Sequence, residues 1–197
     1  MKRATTRICA VACAALAGQM SMSVVGAAPA ASAQELGYSF GADLTTNYLA
    51  KGFTQTDNKP AFQPWGEVNY GMFYGFFWAS NVDFGEEDIE LDLGAGIRPT
   101  LGPVALDIGF VQYLYRDDDE DYGEIYVAAT YPVTDRIQVG FSYWREVYAD
   151  YNTFYVDARY EGLPWDLSVS GGIGSDFGSR DLDKDATYAD LGVTKQF

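Results

Sequence analysis

The chain has 197 residues with 13 Lys+Arg, 28 Asp+Glu and no His, a net charge of −15 at pH 7. That balance excludes nucleic-acid binding, which needs basic patches, and an aromatic content of 16%, led by 15 Tyr and 12 Phe, is too rich for a disordered chain. Lacking imidazole, the chain has no His general base and no ordinary zinc site, so hydrolases and acyltransferases that depend on His are poor fits.

The first 33 residues read as a secretory signal peptide. Lys2, Arg3 and Arg7 precede an apolar run from Ile8 to Ala17, and Ala31-Ser32-Ala33 is a small-residue cleavage site. The run is shorter than the roughly 20 residues of a transmembrane helix. Both cysteines, Cys9 and Cys13, lie inside this segment, so the mature chain has no disulfide to stabilise it. Ala10-Val11-Ala12 does not make a lipoprotein processing box. Cleavage removes three of the 13 cations and none of the 28 acids, which leaves a net charge of −18.

From residue 37 onward, glycine and short polar clusters divide the chain into segments of about ten residues that alternate in polarity, as half-buried strands do. The pattern predicts ten strands, roughly 37–54, 61–70, 72–83, 88–99, 103–115, 122–132, 136–147, 151–161, 165–174 and 186–197; eight or twelve follow if one hairpin is misread. The clearest is 89–98. There Ile89, Leu91, Leu93, Ala95 and Ile97 share one face and Glu90, Asp92, Gly94, Gly96 and Arg98 the other, a separation that helical spacing would mix. In the last strand Ala189, Leu191, Val193, Lys195 and Phe197 oppose Asp190, Gly192, Thr194 and Gln196, and a terminal aromatic on such a strand is frequent in outer-membrane barrels.

Tight turns at Tyr70-Gly71, 99–102, 132–135 and 162–164 alternate with acidic loops near 57–59, 85–87, 117–121, 148–150 and 175–185. Short turns at one end and longer loops at the other are the habit of outer-membrane barrels. The expected fold is therefore all-β: a single antiparallel transmembrane β-barrel domain over 34–197, exported to the outer membrane of a Gram-negative cell, with lipid and lipopolysaccharide as surroundings. A soluble sandwich remains the competing fold, with its charged faces turned to water.

In a barrel the apolar faces, carried by Phe40, Leu44, Ile125, Val127, Ile137, Val139, Phe141, Phe154, Val156, Leu167 and Val169, point to lipid. The opposite faces carry the candidate lumen residues Asp43, Glu67, Glu90, Asp92, Arg98, Asp107, Arg136, Asp157, Arg159 and Asp190, joined by Asn47, Glu124 and Asp166, with Lys51 near the mouth. This lining is net acidic, which favours cations, as acidic rings do in channels. Tyr48, Tyr70, Trp78, Tyr113, Tyr115, Tyr131, Tyr143, Trp144, Tyr160 and Trp165 lie near strand ends, where interfacial girdles place such rings.

Asp117, Asp118, Asp119, Glu120 and Asp121 form a surface cluster able to meet divalent cations. Asp181, Asp183 and Asp185 begin like a calcium loop, but Ala186 stands at the glycine position and Gly192 at the bidentate Glu position, so an EF-hand is rejected. Neither a catalytic set, a cofactor nor a metal site is expected.

Two stretches carry a family pattern: YLAKGFTQTDNKPAFQ from Tyr48 to Gln63, and GFFWASNVDFG from Gly75 to Gly85, followed by ELDLGAG at Glu90 to Gly96. Together they resemble the TorF family, proteobacterial proteins provisionally named as porins. Where that family tends to have Arg and Ser, this chain has Lys51 and Thr54, and Pro64-Trp65 replaces a small residue. The resemblance implies an outer-membrane barrel. Two functions follow: passive, narrow, cation-preferring transport of ions or small polar solutes, or a closed barrel with a structural or surface-binding role.

Overall fold

The computed structural model describes residues 36–116, 121–179 and 185–196. The expected signal peptide, Asp117 to Glu120, Asp181, Asp183 and Phe197 lie outside the described residues. Long strands follow one another as β1 (Leu36–Thr45), β4 (Ala61–Tyr70), β5 (Phe73–Phe84), β6 (Glu87–Ile97), β8 (Val104–Tyr115), β9 (Tyr122–Pro132), β10 (Ile137–Glu146), β11 (Asp150–Leu163), β12 (Leu167–Ser179) and β13 (Ala186–Lys195). Three two-residue strands complete the set: β2 (Leu49–Ala50), β3 (Phe53–Thr54) and β7 (Thr100–Leu101).

Each long strand pairs antiparallel with the next, and β7 pairs with β8, giving one 11-stranded sheet running from β1 to β13. Among the described residues no ladder joins β1 to β13, so the sheet is not closed by strand pairing. It is nevertheless strongly curved. Tyr74 of β5 and Tyr126 of β9 meet hydroxyl to hydroxyl, although three strand intervals separate them, about 14 Å on a flat sheet. The curvature shows in the hairpin that follows β1, where Lys51 pairs with Glu124 of β9 and Gly52 lies against Tyr188 of β13, at the far end of the strand order.

The two faces have inverted polarity. The convex face exposes Phe40 (78%), Leu44 (74%), Leu191 (72%) and Val193 (60%), along with Leu93, Ile125, Phe141 and Val156. The concave face buries Glu90, Asp92, Glu124, Asp176, Thr153 and Ser80 beside Tyr74, Tyr113 and Tyr126. A water-soluble core does the reverse.

The first expected strand is half as long as predicted. β1 stops at Thr45, and residues 46–60 fold back as a small hairpin built on β2 and β3, because Thr45 and Asn47 tie the chain into a local turn. Thr56 Oγ1 accepts the Tyr48 amide at 3.1 Å, and the Gln55 carbonyl accepts the Asp83 amide at 2.7 Å, which pins the hairpin to the rim of β5. At the same rim, Lys59 pairs with Asp83 of β5, whose carboxylate holds the ammonium above its usual range.

Loop lengths also differ from expectation. Gly85-Glu86 is a two-residue turn, and only Val147, Tyr148 and Ala149 join β10 to β11, so the acidic end is not uniformly long. β12 runs to Ser179, five residues beyond the expected end, which turns part of the last acidic loop into strand.

Inward glycines give the curved sheet room for its tyrosines. A Cβ on Gly96 would stand 2.6 Å from both the Tyr74 hydroxyl and the Ile108 carbonyl, and one on Gly109 would lie 2.6 Å from the Tyr126 hydroxyl. Gly172 and Gly174 sit in the same way under Tyr155 and Tyr188.

Candidate functional site

Strand alternation brings the expected lumen residues together. Asp43, Glu67, Glu90, Asp92, Arg98, Asp107, Asp157, Arg159 and Asp190 all share the concave face. Arg136 does not: it sits in the exposed turn between β9 and β10, as Asp166 does between β11 and β12. In both places the strand ladder has ended, so alternation no longer governs direction.

Three groups of polar side chains fill the concave face. At the short-turn end, Arg98 makes a bidentate pair with Glu67, both contacts 2.8 Å. Its Nε donates to Asp107 at 3.0 Å and its guanidinium lies 3.7 Å from the Tyr74 ring centroid. Tyr74 donates to Asp107 and shares a hydroxyl contact with Tyr126, and Tyr126 stacks on Trp144 at 4.3 Å. The planar five-donor guanidinium suits this two-carboxylate, one-ring arrangement in a way an ammonium does not.

Toward the loop end, Glu90 and Asp92 are each 2% exposed and Glu124 1%. Lys51 reaches in from the hairpin, with Nζ 2.6 Å from Glu124 Oε1 and 5.4 Å from the Tyr151 ring centroid. Tyr113 donates to Glu124 Oε2 at 2.9 Å, and Tyr48 to Glu90 Oε1 at 3.3 Å. Glu90 and Asp92 lie within hydrogen-bond reach of each other and Tyr115 within reach of Glu90, and among the described residues no cation bonds Glu90 Oε2 or Asp92 Oδ1. Three buried carboxylates thus face one ammonium.

The third group lies near the sheet's last strands. Tyr155 donates to Asp190 Oδ2 at 2.5 Å, Asp157 packs against Gly140, and Thr153 donates to the buried Asp176 at 2.6 Å. Arg159 contacts Ser168 at 3.1 Å and Glu161 at 2.9 Å.

Sequence reasoning missed several of these residues. Glu146 and Asp176 are buried but stood at or beyond expected strand ends, and Glu87 accepts the Arg116 amide at 2.7 Å. Of the ten expected girdle aromatics, Tyr70, Tyr131, Tyr160 and Trp165 are exposed at the short-turn end. Tyr48, Trp78, Tyr113, Tyr115 and Trp144 instead belong to the concave face, where Tyr48 packs on Trp78 at 5.3 Å and Phe84 on Tyr115 at 5.6 Å. Parity carried that signal: Tyr113 and Tyr115 share alternation with Asp107. In the acidic loop, Asp121 accepts the Tyr115 amide at 2.7 Å, ending a strand, while its four neighbours lie outside the described residues.

Backbone geometry singles out one position. Lys51 and Gly52 link β2 to β3 with φ of 50° and 86°, the type I′ pattern, whose first place usually goes to Asn, Asp or Gly. Holding a residue with a Cβ there costs about 1–2 kcal/mol. A Cβ on Gly52 would lie 2.9 Å from Tyr188 Cβ, so the hairpin that follows β1 abuts β13 while its Lys51 reaches β9.

Fold and site together define an all-β protein with an apolar outer face and an acidic, tyrosine-lined inner one. Residues 27–197 match the family described as "Bacterial protein of unknown function (Gcw_chp)", and the chain belongs to it. Neither a curated protein nor a solved structure matches the chain.

Proposed function

We propose that this protein is an outer-membrane β-barrel with a narrow acidic lumen that passes small cations or small polar solutes passively. The observation that carries the reading is the inverted polarity: bulky aliphatic and aromatic side chains exposed outside, carboxylates buried inside. Lipid is the solvent that rewards that arrangement. The long strands have 10 to 14 residues, enough for the roughly 9–11 that a tilted membrane strand needs. The hairpin that follows β1 touches β13, where a Cβ on Gly52 would lie 2.9 Å from Tyr188, a contact compatible with a barrel. The resemblance to the TorF family and the export signal point the same way.

A lumen of about ten strands is close to the eight-strand size that side chains fill, and far below the sixteen to eighteen of open porins. The near-complete burial of Glu90, Asp92 and Glu124 therefore favours a second reading, a barrel closed at rest with a structural or surface-binding role. Lipid, lipopolysaccharide and divalent cations at the acidic loops are the partners proposed for either, and no catalysis is assigned.

Single-channel recording in planar bilayers separates the two, using protein purified from the membranes of a Gram-negative host expressing the full chain. Small cation-selective steps, with a reversal potential that moves toward anions in Glu90→Gln/Asp92→Asn, are expected. A folded but silent barrel favours the closed reading, and extraction from cells without detergent would remove the membrane assignment.

A further inference from the structure

The loop-end group surrounds one ammonium with more acid than it can match. Lys51 is a primary alkylammonium, and its surroundings are those that recognise one: a carboxylate at 2.6 Å, a tyrosine hydroxyl orienting that carboxylate, and a tyrosine ring within cation–π range. The carboxylates exceed the ammonium. Glu124 is matched by Lys51, while Glu90 Oε2 and Asp92 Oδ1, on residues 2% exposed, have no cationic donor among the described residues and lean on each other and on Tyr115. Lys51 rides on a tight turn whose backbone disfavours it, which marks the ammonium rather than the turn as the reason for its placement.

We propose that Lys51 is a tethered stand-in for a ligand: Glu124, Tyr113 and Tyr151, with the cation-free carboxyl pair of Glu90 and Asp92, bind a small solute bearing primary ammonium groups, and the Lys51 hairpin withdraws to admit it. A diamine suits the site best, because one ammonium replaces Lys51 at Glu124 and the second meets Glu90 and Asp92. A bare metal ion suits it less. Among the described residues no three acidic side chains are arranged to hold one. The inference rests on the proposed lumen only for the route by which solute arrives; binding itself needs no conduction.

The test is isothermal titration calorimetry of 1,4-diaminobutane into detergent-solubilised protein at low salt. Lys51→Met is expected to bind at least tenfold more tightly than wild type, Lys51→Arg to stay near wild type, and Lys51→Met/Glu124→Gln to lose the gain. 1,4-Butanediol should not bind. Equal affinity in wild type and folded Lys51→Met overturns the proposal, as does sodium chloride displacing the diamine at equal charge concentration, which marks a generic cation site.

Should Lys51→Met not fold, wild-type protein carrying 15N-lysine gives a second reading by NMR. Diamine should shift the Nζ resonance that Lys51→Arg lacks, and an unmoved resonance at saturating diamine overturns the proposal. A silent bilayer with tightened diamine binding keeps this site and removes the pore; a cation-selective pore indifferent to diamine does the opposite.

Discussion

Arg98 shows what a single side chain does on the concave face. It joins β6 to Glu67 of β4 and Asp107 of β8 while lying over the Tyr74 ring. Its side chain is 35% exposed and its partners 18% and 13%, so the network sits between the negligible worth of surface pairs and the larger cost of breaking buried ones. Arg98→Ala leaves two acids facing each other without a cation and is expected to cost about 1–3 kcal/mol in urea unfolding of the refolded protein. Arg98→Lys should recover less than half, because an ammonium cannot hold Glu67 through two parallel contacts. Full recovery would show that charge alone matters. The direction of Arg98, Glu90 and Asp92 was legible in the sequence, since each shares parity with the polar residues of a strongly alternating strand. Their partners were not: Lys51 finds Glu124 across 73 positions of chain.

Elements are shaped by how a curved sheet fits large side chains into little space. Tyr74 and Tyr126 cross the concave face because Gly96 and Gly109 give their rings somewhere to lie. Gly96→Val should therefore destabilise by about 1–3 kcal/mol through overpacking. Gly75→Ala is the control, for a Cβ there would meet only the Gly94 carbonyl oxygen, at 3.7 Å, and it should fall within about 0.5 kcal/mol of wild type. Both are read as shifts in the urea midpoint, and equal effects would refute the steric account. Strand spans were largely visible from alternation, from β4 through β11. The hairpin at 46–60 was not, because Leu49-Ala50 and Phe53-Thr54 read as a continuation of β1 until the paired left-handed residues at Lys51 and Gly52 turn the chain back.

At the scale of the molecule, what matters is which solvent each face meets. If the outer face lies in lipid, Phe141→Arg, near the middle of β10 and 46% exposed, should cost about 2–4 kcal/mol in lipid vesicles. The same variant should be nearly neutral in detergent micelles, which deform around a charge. Equal stability in vesicles would argue that this face meets water.

The sequence by itself determined the strands and their faces, because a period of two is a local property of consecutive residues and each charge declares its side. It also determined that the polar face is acidic. Only the tertiary structure decided which charges meet, since the hairpin after β1 carries Lys51 to Glu124 of β9, a meeting that no local pattern declares. It likewise turned five expected girdle aromatics inward, where they pack against the acidic groups of the concave face.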